Sequence, residues 1–245
     1  MDEAEFDKFA AEYREIHAAN IRLSGEDPEY FAEYKVIDVL RELDARGRVD
    51  GPISVLDFGA GIGYAVPFFR RHLPQAELIC LDVSRRSLAI GAARHGSDAT
   101  FRHFDGSTIP FEDDRFDVVH ASCVFHHIPH ERHVALLGEI RRVLKPGGLL
   151  LVFEHNPLNP LTRHAVATCA FDEHAILIGA GEMRRRVLRA GFDDARVRYR
   201  IFFPRALAAL RPLERHLAWL PLGAQYYVCA EKGGSRNAIS PGVEP

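Results

Sequence analysis

Through the middle of the chain, apolar runs that predict strands alternate with segments that predict helices, and this alternation restricts the fold more than any other feature. The runs ISVLDF and ELICLDV predict strands, and LLLVFE predicts a strand buried on both faces. Between the strands lie helix-like segments such as SRRSLAIGAARH, for which Ser84 is the expected N-cap. Strands separated by helices of this length predict an α/β fold with a parallel sheet covered on both sides.

The alternation of predicted strands and helices becomes less regular towards the end of the chain. The segments ARVRYRIFF and AQYYVCAE predict two further strands, and MRRRVLRAGF predicts a helix with Gly191 at its C′ position. The insert between those strands, residues 204–222, contains three prolines together with Trp219. We expect it to form a wall or lid of a substrate pocket; a dimer face and a membrane-surface helix are the alternatives.

One domain accounts for most of the chain, because no linker or repeat divides it. We predict a single domain over 1–232, comprising a helical cap of two helices (1–46), a ligand-binding core (50–155) and acceptor-side elements with the last two strands (156–232). The small, polar segment 233–245 is expected to be a disordered tail.

Composition excludes several classes of function. The formal charge of −3 does not indicate a strongly basic surface of the kind that binds nucleic acid or an anionic membrane. The first residues resemble no signal peptide, and no apolar run approaches the ~18 residues of a membrane span. The four cysteines form no CxxC pair and are read as reduced thiols. We therefore expect a cytoplasmic protein without nucleic-acid or membrane partners, as a monomer or a homodimer.

The stretch VLDFGAGIG, between the first strand and a helix, predicts a ligand-binding loop. Its glycines, Gly59, Gly61 and Gly63, allow a tight turn and a close approach of the backbone to a ligand. Asp82 ends the second strand, where a carboxylate can accept the hydroxyls of a ribose, and Asp105 ends the third, where a carboxylate can meet an exocyclic amine of adenine. The spacing G-x-G-x-G differs from the dinucleotide fingerprint, so a nicotinamide oxidoreductase is a distant alternative.

Taken together, VLDFGAGIG, LDVS, FDGSTIPF, FDVVHASCVFHHI and RRVLKPGGLLLV resemble the class I S-adenosylmethionine-dependent methyltransferases. The motifs stand in the family's order over about residues 50–155. The resemblance implies a Rossmann-like, doubly wound sheet of seven strands, mostly parallel, with an antiparallel last strand inserted beside the sixth. It also implies S-adenosylmethionine as the cofactor and S-adenosylhomocysteine as a product.

The resemblance also implies roles for individual residues. Asp57 and the glycine-loop backbone would hold the methionine part of the cofactor, Asp82 the ribose, and Asp105 with Gly106 the adenine. The stretch 120–122 would line the sulfonium side. The cofactor-binding residues implied in this way are Asp57, Gly59, Ala60, Gly61, Gly63, Asp82, Val83, Asp105, Gly106, Ala121 and Ser122.

Two adjacent histidines follow the fourth predicted strand, where the acceptor is expected. A general base is needed if the acceptor is a hydroxyl or a carbon acid, and an imidazole with an ordinary pKa near ~6.5 suits that role. The resemblance favours one of His126 and His127, with Glu154 as a further catalytic candidate; the alternative is a buried histidine that closes the loop. We expect no metal site, because no carboxylate or thiol stands at ligand-like spacing. His130 and His133 are predicted on the outer face of the next helix.

The stretch EHNPLNPLTRH follows the fifth predicted strand and reaches the same end of the sheet. Its two prolines, Pro157 and Pro160, predict an irregular loop rather than a helix. We expect acceptor contacts from this loop, with an ordinary turn as the alternative. The acceptor-side candidates are His155, Asn156, Asn159 and Arg163 from the loop and Tyr34 from the N-terminal cap.

These observations predict a methyltransferase that acts on a small-molecule acceptor, with a hydroxyl acceptor favoured by the histidines. A cyclase or lyase that uses S-adenosylmethionine without methylation is the alternative enzyme. A non-catalytic subunit that binds the cofactor is the alternative outside enzymes.

Overall fold

A seven-stranded sheet organises the computed structural model, which describes residues 18–49 and 51–234. The strands are β1 (Ser54–Phe58), β2 (Glu77–Asp82), β3 (Thr100–His103), β4 (Phe116–Ser122), β5 (Leu144–His155), β6 (Asp194–Arg200) and β7 (Gln225–Glu231). Their order is β3-β2-β1-β4-β5-β7-β6, and β7 runs antiparallel to both of its neighbours. The fold class predicted from the sequence is confirmed, including the antiparallel strand inserted beside the sixth.

Helices connect the strands. They are α1 (Pro28–Asp44), α2 (Val66–His72), α3 (Arg85–His95), α4 (His133–Val143), α5 (Pro160–Ala167), α6 (Ala180–Arg189) and α7 (Glu214–Leu217). The expected N-cap of α3 is confirmed, because the hydroxyl of Ser84 accepts a hydrogen bond from the backbone N–H of Ser87 at 3.0 Å. Gly191 follows α6 with a φ of +96°, as expected of a C′ glycine.

Two apolar layers cover the sheet. On one face, α4 and α6 bury Ile140 and Val187 against residues such as Val119 of β4. On the other face, α1 and α2 bury Val39 and Phe69 against the same central strands. Because the central strands are buried on both sides, polar groups that serve a ligand are left to the strand ends and the loops that follow them.

Two structural predictions are wrong. A helix, α5, begins at Pro160, where the prolines were expected to prevent one. Proline is tolerated at the first helical position, since its missing N–H has no intrahelical partner there, and Asn159 caps this helix by accepting from the N–H groups of Leu161 and Thr162. Glu154 and His155 likewise belong to β5, and Arg163 to α5, rather than to an irregular loop.

The insert at 204–222 is also not the predicted pocket wall, apart from Pro204. It packs on the N-terminal part of the chain, where the Arg211 guanidinium pairs with Glu26 and lies 4.6 Å from the ring centroid of Tyr30. The carboxylate of Glu214 accepts the backbone N–H of Phe202 at 3.0 Å. The insert therefore braces α1 and the end of β6.

The first of the two predicted N-terminal helices falls largely within residues 1–17, outside the described residues, and so does the predicted tail from residue 235 onwards. Among the helices of residues 18–49 and 51–234, none has the length and apolar character needed to cross a bilayer.

Candidate functional site

A cavity of about 340 Å³ opens where β1, β4 and β5 end, and its walls are mainly apolar. The glycine loop and the end of β2 form one part of its wall, and the residues after β4, the end of β5 and the segment from Asn159 to Asp172 form another. Polar and glycine residues that line it include Lys35, Gly59, Gly61, Asp82, Ser122, Cys123, His126, His127, His155, Asn159, Asp172 and Gln225.

The glycine loop is held close to β2. The N–H groups of Gly59 and Ala60 donate to the carbonyl of Leu81 at 2.8 and 3.1 Å. Gly59 has a φ of +73°, and a Cβ there would lie 2.4 Å from a methyl carbon of Val124. A Cβ on Gly61 would meet no atom within 4 Å. Gly59 is therefore required for packing, whereas Gly61 presents bare backbone at the cavity wall.

Asp82 is buried at the end of β2 and is oriented by backbone donors. Its Oδ2 accepts the N–H of Gly61 at 2.7 Å, and its Oδ1 accepts the N–H of Ser84 at 2.8 Å. Burial raises the pKa of Asp82 above its usual range, although these N–H groups act in the opposite direction. The carboxylate is thus fixed beside the glycine loop, in the cavity wall.

Several residues expected at the cofactor do not line the cavity. Asp57 is buried outside the cavity wall, and its Oδ1 lies 2.7 Å from Nδ1 of His120. Asp105 is exposed, and its Oδ1 accepts the N–H groups of Thr108 and Ser107, which lower the pKa of this carboxyl to about 2. The others that lie outside the cavity wall are Gly63, Val83, Gly106 and Ala121. Of the stretch 120–122, Ser122 alone lines it.

His126 joins the end of β4 to β5. Its Nδ1 lies 2.5 Å from Oε2 of Glu154, and Oε1 of the same carboxylate accepts the backbone N–H of Phe125 at 2.8 Å. On the cavity side, Nε2 of His126 lies 3.4 Å from Oδ1 of Asp172. The His126 ring is therefore held between two carboxylates, one buried behind it and one in the cavity wall.

His127 faces the same carboxylate, and its Nε2 lies 3.5 Å from Oδ1 of Asp172. Burial opposes protonation of both rings. For His126 the two carboxylates prevail and raise the pKa to about 10, whereas burial and the charge of His126 lower the pKa of His127 to about 3. The adjacent histidines thus differ in charge at neutral pH, with His126 cationic and His127 neutral.

Asp172 was missed by the sequence reasoning. It ends the 3₁₀ helix Ala170–Asp172, far along the chain from the histidines and in a segment without a recognisable motif. The following turn is anchored to the histidine loop by a hydrogen bond from the N–H of Ile176 to the carbonyl of His126 at 2.9 Å. The sequence contains no sign of a carboxylate beside the histidines, but folding brings Asp172 close to both of them.

A lysine of α1 was missed as well. Lys35 is only 5% exposed, and its Nζ donates to Oγ of Ser122 at 2.7 Å and lies 3.3 Å from Sγ of Cys123. Cys123 has a φ of +56°, which is strained for a residue with a Cβ. Burial opposes ionisation of the Cys123 thiol, but Lys35 and His155 lower its pKa to about 6. A buried cation and an acidic thiol thus sit at the end of β4.

The predicted acceptor residues divide into two groups. His155 and Asn159 line the cavity. Asn156 does not line it, because its amide donates to the carbonyl of Gly223 at 2.8 Å and so ties β5 to the start of β7. Tyr34 is buried behind the wall, where its hydroxyl donates to the Gln225 side chain, and Arg163 is exposed on α5. The structure does not place these last three residues at the cavity.

The prediction that His130 and His133 lie on an outer helix face is wrong. His133 is completely buried, its Nε2 lies 2.9 Å from the carbonyl oxygen of Ile128, and Nη1 of Arg186 donates to its Nδ1 at 2.7 Å. His130 is half-buried beside the same guanidinium, at 3.2 Å. Helix α6 supplies Arg186 to this cluster, so these two histidines join α4 to α6.

Comparisons with known proteins agree with the fold and the glycine loop. Residues 55–148 match a family model described as a methyltransferase domain. The demethylmenaquinone methyltransferase of Thermotoga maritima is 30% identical over 154 residues, which cover 63% of this chain and 61% of that protein. The phthiotriol/phenolphthiotriol dimycocerosates methyltransferase 1 of Mycobacterium ulcerans is 34% identical over 108 residues, covering 44% of this chain and 39% of that protein. The chain thus spans less than two thirds of these two relatives.

Among solved structures, a SAM-dependent methyltransferase from Thermotoga maritima has a TM-score of 0.62 and 20% identity, and the match covers 94% of this chain and 98% of that one. At this identity the likeness shows the fold. The family match, the relatives and the sheet order agree with the resemblance seen in the sequence motifs. Residues 55–148 thus match a methyltransferase domain, and the chain has the fold of a solved S-adenosylmethionine-dependent methyltransferase.

Proposed function

We propose that this chain transfers the methyl group of S-adenosylmethionine to a small, mainly apolar acceptor, and to a hydroxyl in preference to other atoms. One observation carries the proposal: a single cavity is bounded both by the glycine loop with Asp82 and by the histidines that follow β4. A methyl donor and an acceptor held in one such cavity would meet over the end of β4. We further propose a cytoplasmic location and the domain limits predicted above.

The residues of the glycine loop fit the cofactor. The open space over Gly61 leaves its backbone free to approach a ligand, and the Asp82 carboxylate beside it is already oriented by two N–H groups. Asp82 would hold the ribose hydroxyls, and the backbone of Gly59, Ala60 and Gly61 the methionine part. When bound, the cofactor supplies a methyl group that its sulfonium makes electrophilic.

At the other end of the cavity, the residues after β4 would orient the acceptor and take up its proton. An acceptor oxygen forms the new bond to the methyl carbon while the carbon–sulfur bond breaks, and the hydroxyl proton must leave. His127 is the better proton acceptor of the pair, because it is neutral while His126 already carries a proton. His126 and Glu154 would hold the loop in place.

The names of the relatives suggest which acceptors to test first. They include methyltransferases of demethylmenaquinone and of phthiotriol dimycocerosates. A mainly apolar cavity with polar side chains in its wall suits a lipophilic molecule that carries a hydroxyl.

Calorimetry tests the cofactor assignment. We expect S-adenosylhomocysteine to bind the purified chain and NAD not to bind. Binding of NAD without binding of S-adenosylhomocysteine would contradict the proposal.

Turnover tests the acceptor assignment. The release of S-adenosylhomocysteine is followed with hydroquinones, phenols and aliphatic alcohols as acceptors, and mass spectrometry locates the added methyl group. We expect His127→Ala to lower the rate at least tenfold without changing S-adenosylhomocysteine affinity. The matched control is His130→Ala, which changes a nearby histidine outside the cavity wall. Unchanged turnover in both His126→Ala and His127→Ala would refute a role for this pair.

A further inference from the structure

We propose that His126, His127 and Asp172 bind a divalent transition-metal ion, with zinc as the first candidate. One ring nitrogen of each histidine and a carboxylate oxygen of Asp172 lie within 4.8 Å of one another, and all three residues line the cavity. The inference rests on the proposed function only for the use of the ion, because the binding site itself is defined by these three side chains.

The spacing of the donor atoms matches a coordination site better than a hydrogen-bonded one. The two Nε2 atoms lie 3.4 and 3.5 Å from Oδ1 of Asp172. Tetrahedral zinc with ligands at about 2.0–2.1 Å separates its donor atoms by about 3.3–3.4 Å. Charge-assisted hydrogen bonds are shorter, at about 2.7–2.9 Å. The two distances to Asp172 would thus need little change to hold an ion, and the nitrogens of the two histidines lie within 4.8 Å of each other.

The surroundings of His126 support this arrangement. Oε2 of Glu154 lies 2.5 Å from Nδ1 of His126, and the other oxygen of Glu154 is held by the backbone N–H of Phe125. A histidine that binds a metal commonly donates its second N–H to a carboxylate, which fixes the tautomer and the ring plane. In His126 this contact directs Nε2 towards Asp172 and the cavity, and an ion bound there would displace the proton that Nε2 carries in the metal-free chain.

The types of ligand atom favour a transition metal over calcium or magnesium. Two imidazoles and one carboxylate form a mixed nitrogen and oxygen set, whereas calcium and magnesium prefer oxygen ligands. Three protein ligands leave at least one coordination position open, and the site borders the cavity.

The open position gives the ion a use in the proposed reaction. An acceptor hydroxyl bound there would lose its proton more readily, because the ion stabilises the oxyanion. His127 would then be a ligand rather than the base, since a coordinated Nε2 cannot also accept a proton; the released proton would pass to solvent.

Zinc titration against a chromophoric chelator tests the site, using the whole chain stripped of metal. We expect one equivalent of zinc to bind, with at least tenfold weaker binding in His127→Ala and in Asp172→Asn. His130→Ala is the matched control and should bind zinc like the unchanged chain. Failure to bind zinc, or binding that His127→Ala and Asp172→Asn leave unaltered, overturns the proposal.

The absorption spectrum of bound cobalt reports the coordination geometry of the site and does not depend on enzymatic activity. We expect Co²⁺ to give the intense visible absorption of a four-coordinate site, with this band lost in Asp172→Asn. Circular dichroism of each variant establishes that it is folded. In a folded Asp172→Asn variant, an unchanged band would refute Asp172 as a ligand.

The outcomes separate the metal site from the methyltransferase function. Binding of S-adenosylhomocysteine and methyl transfer without zinc binding would overturn the metal proposal alone and leave His127 as the base. Zinc binding without S-adenosylhomocysteine binding or methyl transfer would overturn the proposed function and leave the site intact.

Discussion

Nδ1 of His126 lies 2.5 Å from Oε2 of Glu154, and both side chains are buried. This contact joins the loop after β4 to the body of β5. Because one partner is ionisable near neutral pH and neither is solvated, the contact links stability to proton binding in the cavity wall.

We predict that the free energy of unfolding falls between about pH 7 and pH 10. The folded pKa of His126, about 10, lies above the ordinary value of 6.5, so its stabilisation is complete at low pH and is lost as the pH rises to its folded pKa. One such group changes stability by at most roughly 1.4 kcal/mol per pH unit. Urea unfolding at several pH values measures this slope, which should be smaller in Glu154→Gln. An equal slope in that variant would disprove the assignment to His126.

At acid pH the dependence has the opposite sign because of His127. Its folded pKa of about 3 lies below the ordinary 6.5, so the unfolded chain binds this proton more readily between those values. We expect the contribution of His127 to destabilise the fold as the pH falls from about 6.5 towards 3. His127→Gln should reduce the slope in this range, as measured by the same unfolding experiments. A slope unaltered by the substitution would contradict the prediction.

Two glycines of the binding loop should differ in how they respond to alanine. We predict that Gly59→Ala lowers the melting temperature strongly, because its Cβ would overlap Val124, and that Gly61→Ala lowers it by less. Gly61→Ala should instead weaken S-adenosylhomocysteine binding, since its Cβ would enter the open space over the loop. Thermal unfolding and calorimetry on both variants check these outcomes, and equal losses of stability would refute the distinction.

The two strand-end carboxylates should also differ. We predict that Asp82→Asn weakens S-adenosylhomocysteine binding at least tenfold, about 1.4 kcal/mol, whereas Asp105→Asn changes it less. Asp82 lines the cavity, and Asp105 is exposed and engaged with its own turn. Calorimetry on the two isosteric variants compares them directly. If Asp105→Asn weakened binding more than Asp82→Asn, the prediction would be wrong, and the contact between Asp105 and adenine expected from the sequence would be the stronger of the two.

The acidic thiol of Cys123 should be chemically reactive. We predict that iodoacetamide modifies Cys123 at neutral pH faster than Cys80, whose pKa is raised by burial. Lys35→Met should slow the reaction, because it removes the nearby charge that favours the thiolate. Mass spectrometry of tryptic peptides follows both sites, and an unchanged rate in Lys35→Met would exclude that cause.

Much of the fold followed from local signals. The strand and helix alternation and the Ser84 cap depend on short segments whose periodicity and turn residues act locally, and both are confirmed. Pro160 shows the limit of such reasoning, because a proline can either interrupt a helix or begin one, and here the cap from Asn159 favours the second outcome.

The candidate site was predicted in part. His126, His127 and Asp82 line the cavity as expected, because strand ends in a parallel sheet meet at one edge. Asp172 and Lys35 could not be placed in the same way, since each comes from a segment whose position depends on packing rather than on a motif. The burial of His133 was missed for the same reason: Arg186 of α6 covers it.

The sequence by itself therefore determined the α/β class, the edge of the sheet at which the cavity opens and the two histidines in its wall. Only the tertiary structure decided which carboxylates reach those histidines, and thus which ring is charged and which is neutral. The physical reason is range: periodicity and turn chemistry act over a few residues, whereas Glu154 and Asp172 act on His126 through contacts that exist only after distant segments have packed together.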